Sequence, residues 1–221
     1  MKLLFRALVK YICGVAFTAL LLFLPAGTLY WFNGWLFMGV LFLPMLLVGI
    51  ILMLRQPELL RKRLEAKETQ QEQSIVVRLS GLMFLAGFVV AGLDHRFSWS
   101  ALPDWISIAA AFLLLLAYGL YCEVMRENAF LSRTIQVQEN QKVVDTGLYG
   151  IVRHPMYTST LLLFLSIPLI LGSGFSFFIF LLYPSILYKR IQNEEQVLKA
   201  ELQGYTAYCK KVRYRLLPLI W

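Results

Sequence analysis

Four stretches of the chain, residues 11–32, 35–54, 75–93 and 105–125, run almost without interruption through Leu, Phe, Val, Ile, Ala and Gly. Each reaches the roughly 20 apolar residues that a helix needs to cross a hydrocarbon core of about 30 Å. The pattern therefore predicts four transmembrane helices. Pro25 and Pro44 fall inside the first two and are expected to kink them, with neighbouring helices re-satisfying the freed backbone. Asn33-Gly34 alone separates those two spans, which predicts a tight antiparallel pair. A fifth apolar run, residues 158–188, is too long for one crossing and is broken by Gly172-Ser173-Gly174. Each half holds about 15 residues and reaches about 22 Å at 1.5 Å per residue, so it predicts a helical hairpin that crosses thinly or dips partway. Its two ends then lie on one face. The fold class expected is all-α, a polytopic membrane protein of about six membrane helices, the last two a short hairpin.

The polar positions fill the gaps. Residues 55–74 interleave Arg61, Lys62, Arg63 and Lys67 with Glu65, Glu68 and Glu72, the pattern of a charged cytosolic helix, solvated or in contact with lipid headgroups. The connection from Asp94 to Ser100 carries one basic residue and the aromatics Phe97 and Trp99, suited to the outer interface, and His95 reads as an ordinary exposed loop histidine. After the fourth span come Glu123, Arg126, Glu127 and Asn128, then an extended-chain alternation over residues 134–138 and a turn at Asp145-Thr146-Gly147. That segment is long enough to hold a ligand. At the other end Glu194, Leu198, Leu202, Tyr205 and Tyr208 recur at helical spacing, predicting one amphipathic cytosolic helix lying back over the hairpin. There is no internal repeat. The chain reads as a single membrane domain, 1–221, with a four-helix part over 1–127 and a part bearing the chemistry over 128–221.

Composition agrees. Of 221 residues, 59% are hydrophobic and only 15% charged, more apolar surface than one soluble core of this size buries. Lys2, Arg6 and Lys10 before the first run resemble a secretory signal, but the run is longer than a signal's apolar region, so it is read as an uncleaved first span. Cys13, Cys122 and Cys209 show neither pairing nor metal-ligand spacing and read as packing residues. With the spans placed as above, every Lys and Arg except Arg96 falls on one side. The net charge of +8 is then the positive-inside bias, with both termini cytosolic, and not a groove for nucleic acid.

The hairpin brings Arg153, His154 and Tyr157 at its start close to Arg190 and Glu194 at its end, on the cytosolic rim. Pro155 suits a first helical turn, whose amides would face the cavity and favour an anionic group. Arg190 and Glu194, four apart, share a helix face. One reading of these residues is a membrane-edge salt bridge with snorkelling basic side chains. The other is a functional site, since ionisable groups at such a place are costly. The chain offers no dinucleotide or phosphate-binding loop, no Cys/His metal spacing and no Ser/His/Asp arrangement. A cofactor would have to lie between the Gln138 segment, the hairpin and the tail.

Arg153-His154-Pro155-Met156-Tyr157 with Glu194-Glu195 after a short apolar hairpin, preceded by Gln138 through Val144 and by Gly147-Leu148-Tyr149, resembles the isoprenylcysteine carboxyl methyltransferase family. Phospholipid N-methyltransferases share part of the pattern. The likeness covers residues 134–218; Gln141 stands where many relatives have His, and Ser159-Thr160 where a Gly is usual. It implies S-adenosylmethionine bound on the cytosolic side and no metal. Gln138, Gln141, Lys142, Val143, Val144, Tyr149, His154, Pro155, Met156, Tyr157 and Glu194 would line the cofactor site. Arg190, with Arg153 nearby, would face the acceptor, and Arg190 and Glu194 would carry catalysis. Partners would be membrane lipids and a lipophilic acceptor entering between helices. A carboxylate acceptor is already a nucleophile and needs a cation to hold it; an amine acceptor arrives protonated and needs a free base such as Glu194 or Glu195. The carboxylate is favoured if Glu194 is engaged by the cofactor. A sterol-reductase-type enzyme shares the topology, but no residues argue for a nicotinamide. A transporter or structural protein would bury charges in mid-span, where only Glu123 and Arg78 come close, both near inner ends.

Overall fold

The computed structural model describes residues 2–65, 71–100, 102–128, 130–131 and 137–221. The extended reading of residues 134–136 and the middle of the charged 55–74 segment fall outside them. The N-terminal half is α1 (Lys2–Ala26), α2 (Phe32–Arg55), α3 (Pro57–Glu65), α4 (Gln71–Phe97) and α5 (Asp104–Glu127). Four of these, with α4 counted from Ile75, are long and apolar enough to cross a membrane. Phe17, Leu20 and Leu24 on α1 and Leu43, Leu47 and Leu54 on α2 stand exposed, which only lipid makes tolerable. The chain is a multi-pass membrane protein.

Several boundaries differ from the sequence pattern, each for a local reason. α1 begins at Lys2 and ends at Ala26, because Gly27 adopts φ +68° and its N–H closes on Phe23 O at 3.0 Å. The α1–α2 connection is thus residues 27–31, and Asn33-Gly34 lies in the first turn of α2, where a Cβ on Gly34 would come 2.8 Å from the Trp31 ring. α4 runs through Phe97, so Asp94, His95 and Arg96 belong to its last turns and not to a loop. His95 stacks on Trp31 with ring centroids 4.7 Å apart.

Asp94 is only 1% exposed. Its carboxylate accepts from Ser100 N–H at 2.7 Å, from Ser100 Oγ at 2.6 Å and from the Ser173 hydroxyl. Ser173 caps α7 (Gly174–Phe180) after the turn that follows α6 (Pro155–Ile170), and Gly174 N–H donates to Ser100 Oγ at 2.8 Å. On the same face Asn33 Nδ2 donates to Ser107 Oγ, 3.2 Å, which donates to Leu169 O, 3.1 Å. The hairpin turn is therefore level with the α1–α2 and α4–α5 connections, and the hairpin reaches that face. α4 approaches α7 closely at Gly87, where a Cβ would fall 2.3 Å from the Phe180 ring.

The returning arm is not one helix. α7 stops at Phe180, and α8 (Tyr183–Glu201) starts with Pro184 in its first turn. Proline supplies no N–H and has a fixed φ, which suits it to the first turn of a new helix, α8. α8 then continues unbroken through Arg190 and Glu194. The expected single tail helix is also divided: Gly204 at φ +86° turns the chain between α8 and α9 (Tyr205–Lys211). One core unites the elements, with Phe37, Leu114, Ile167, Phe180, Leu187 and Ile191 fully buried. Along α8 this sets two neighbouring stripes four residues apart in step. Leu187, Ile191 and Glu195 point inward, and Arg190, Glu194 and Leu198 flank a cavity.

Candidate functional site

That cavity, about 830 Å³ with its open mouth, lies between the start of α6, the outer stripe of α8, the segment from Gln141 to Tyr149, and α9. Gln141, Lys142, Val143, Val144, Tyr149, Arg153, His154, Met156, Tyr157, Arg190 and Glu194, all singled out from sequence, line it. Gln138 and Pro155 do not stand in its wall: Gln138 Nε2 donates to Phe130 O, and Pro155 is buried at the head of α6. Asn128, Leu198, Leu202, Tyr205 and Tyr208 also line it. Their sequence signal was the helical spacing of the tail and the polar end of α5; what concealed them was the Gly204 turn, which folds α9 back onto the site.

The polar centre is Tyr157. Its ring is buried, its hydroxyl donates to Glu194 Oε2, and it accepts from Arg190 Nε at 2.9 Å. Arg190 also lies over the ring face, 5.8 Å from the centroid. The hairpin thus joins cation, phenol and carboxylate in one chain of hydrogen bonds.

Behind it lies a second carboxylate, Glu195, 2% exposed. Arg153 Nε stands 2.9 Å from Oε1 and His154 Nε2 3.3 Å; Arg215 Nε is 3.2 Å and Lys199 Nζ 3.6 Å from Oε2. Burial opposes the charge on Glu195, but the hydrogen bond and charge of His154, then Arg153 and Arg215, outweigh it and hold the carboxyl at about 2. The Arg153 guanidinium is turned to this carboxylate and, through Nη1, to Cys209 O and Val212 O, both at 3.4 Å. The anion cradle expected of the first turn of α6 is partly closed, since Tyr157 N–H and Thr158 N–H donate to His154 O at 3.0 and 3.2 Å.

The remaining walls are fixed by backbone contacts. Arg153 N–H and His154 N–H donate to Tyr214 O and Arg215 O, each at 2.9 Å. Leu148 N–H donates to both oxygens of Glu127, at 3.2 and 3.0 Å, and Gly147, φ +52°, admits that carboxylate where a Cβ would clash at 1.6 Å. Asn128 Nδ2 donates to Tyr149 OH at 2.9 Å and Tyr208 OH to Tyr149 O at 2.7 Å. Lys211 Nζ, 2.6 Å from Asp145 Oδ2, ties α9 to the segment and lowers the Asp145 carboxyl. Tyr205 differs: its hydroxyl is buried against the cavity with no hydrogen-bond partner among the described residues, and burial pushes its phenol up, so it stays a neutral donor.

An apolar groove of about 970 Å³ opens one helical turn away, between α2, α5 and α6. Leu41, Met45, Val48, Tyr121, Leu163 and Phe164 form it, and Thr160 stands in its wall. Thr160 Oγ1 donates to Tyr157 O at 3.1 Å and accepts from Tyr183 OH at 3.0 Å.

Residues 108–200, which contain both the Arg153–Tyr157 and Glu194–Glu195 motifs, match the model of the isoprenylcysteine carboxyl methyltransferase family. The family resemblance carried by those motifs is therefore borne out over that part. The chain is also similar to the Delta(14)-sterol reductase of Mus musculus, 30% identical over 91 residues, which is 40% of this chain and 22% of the reductase. It spans about a fifth of that relative's length.

Proposed function

We propose that the protein is an S-adenosylmethionine-dependent membrane methyltransferase that transfers a methyl group to a carboxylate on a lipophilic acceptor. The observation that carries this reading is the hydrogen-bonded chain from Arg190 through Tyr157 to Glu194, set between a polar cavity and an apolar groove. The residues fit the cofactor: Tyr205 offers a buried donor beside the cavity, Glu194 and Tyr157 suit its ammonium and ribose hydroxyls, and Val143, Val144, Leu198 and Leu202 suit the adenine. When bound, S-adenosylmethionine supplies an activated methyl for in-line displacement. The chain's own task is then alignment and exclusion of water.

The division of labour follows. Glu194 is engaged by Tyr157 and not held apart as a base, which supports an acceptor that needs none. Arg190 faces the acceptor and holds its carboxylate by charge-assisted hydrogen bonds. Arg153, drawn to Glu195 and the tail carbonyls, contributes the wall more than direct acceptor contact. The groove beside Thr160 takes the apolar body of the acceptor from the bilayer. The basic bias supports a cytosolic site and cytosolic termini.

The test is transfer of labelled methyl from S-adenosylmethionine into a total membrane extract, with the product identified. A base-labile methyl ester is expected; label in methylated aminolipids favours the N-methyltransferase reading. The similarity to a sterol reductase favours a second reading, hydride transfer to a lipophilic substrate. Calorimetric titration separates the two: S-adenosylhomocysteine binds under the first, a reduced nicotinamide under the second.

A further inference from the structure

α1 and α2 pack together at one end, where Phe23 and Trp35 approach to 4.8 Å between centroids. Toward the other end they part, and α3 folds back beneath them. The gap is a groove of about 1060 Å³, walled by Leu4 and Leu8 of α1, Ile50 and Leu54 of α2, and Leu60 and Leu64 of α3. Its flank is open to the surroundings: Leu8 is 43% and Leu54 77% exposed. Such a gap facing hydrocarbon neither holds water, for lack of polar partners, nor stands empty without forfeiting contacts.

The charges choose the headgroup. Lys10 lies in the groove wall and its Nζ donates to Leu64 O, which leaves further N–H groups of the ammonium for an anion. Lys2, Arg6 and Lys10 are spaced four apart and form one ladder along the face of α1 that ends at the groove. Arg55, in the last turn of α2, adds to it, and α3 carries the acidic Glu58 and Glu65. A zwitterionic lipid fills the groove equally well but gains little from these cations. We propose that the α1–α2–α3 groove is a binding site for an anionic phospholipid, with one acyl chain between α1 and α2 and the phosphate on Lys10. The site shares no wall residue with the cavity at Tyr157 and meets the groove beside Thr160 only at Met45, Gly49 and Leu60.

Native mass spectrometry of the detergent-solubilised protein, titrated with dioleoylphosphatidylglycerol or dioleoylphosphatidylcholine, tests this. Preferential retention of the anionic lipid is expected, reduced about fivefold or more in Lys10→Glu, the fold-change that ~1 kcal/mol per basic residue at an anionic lipid surface corresponds to. Ala7→Trp, which fills the groove, is expected to abolish retention of both lipids. Binding of S-adenosylhomocysteine or, failing that, an unaltered melting temperature in lipid-free detergent reports that each variant is folded; should Ala7→Trp not fold, Lys10→Glu decides. Equal retention of the two lipids by the parent, or full preference surviving in folded Lys10→Glu, overturns the proposal.

Discussion

Arg190 Nε donates to the Tyr157 hydroxyl across 2.9 Å, and that hydroxyl in turn donates to Glu194. The two residues come from opposite ends of the α6–α8 hairpin, so the hairpin's closure is what creates the pair. Arg190→Ala is expected to lower kcat/KM for the acceptor roughly 10- to 100-fold, the ~1.5–3 kcal/mol of a charged hydrogen bond. Affinity for S-adenosylhomocysteine should change little. Parallel assays of methyl transfer and calorimetric binding check the split; loss of cofactor binding in a folded variant contradicts the division of roles.

Tyr205→Phe removes a hydroxyl that has no partner among the described residues. Its loss should leave thermal stability unchanged or slightly raised, because a buried unsatisfied donor is costly. Affinity for S-adenosylhomocysteine should fall about fivefold, near 1 kcal/mol for one neutral hydrogen bond. Unchanged affinity would remove Tyr205 from the ligand site.

Glu195 contributes a pH dependence of determinate sign. Its folded pKa, about 2, lies below the ordinary carboxyl value of 4.5, so its stabilisation is complete above about 4.5 and is lost as pH falls toward about 2. Glu195→Gln should flatten that acid limb in melting curves recorded between these values. At neutral pH it should destabilise by several kcal/mol, because Arg153 and Arg215 are left facing an uncharged group. An unaltered acid limb would show that the carboxylate is not the group being titrated.

Asp94→Ala strips the hydrogen bonds that hold Ser100 and Ser173 at the hairpin turn. A loss of about 1–3 kcal/mol per orphaned buried group is expected as a lower melting temperature in detergent. Binding of S-adenosylhomocysteine in the folded fraction should persist, since the turn lies on the face opposite the cavity. Loss of that binding in folded protein would mean that the turn sets the geometry at Tyr157.

The four long apolar helices were legible because lipid imposes length and hydropathy on every crossing. The meeting of Tyr157 with Arg190 and Glu194 was legible because a hairpin returns its ends to one face, whichever way it is packed. The helix ends were less so, being set by single backbone conformations at Gly27 and Gly204 and by the fixed φ of Pro184. Glu195 stood in plain view beside Glu194, but nothing in the spacing distinguishes the inward stripe of α8 from the one facing the cavity; the partner helices decide that. Asp94 looked like a loop residue because its partner, Ser173, is 79 positions away. The role of Tyr205 depended on a turn that periodicity alone passes over.

The backbone pairing of Arg153 and His154 with Tyr214 and Arg215 has a consequence for biogenesis. α6 emerges from the ribosome and meets the bilayer before residues 214–215 have been made, so the wall behind His154 is missing while the hairpin inserts. Ligand competence is then a late event in synthesis, separable from membrane insertion. A chain arrested ahead of Tyr214 should be inserted yet blind to its ligand.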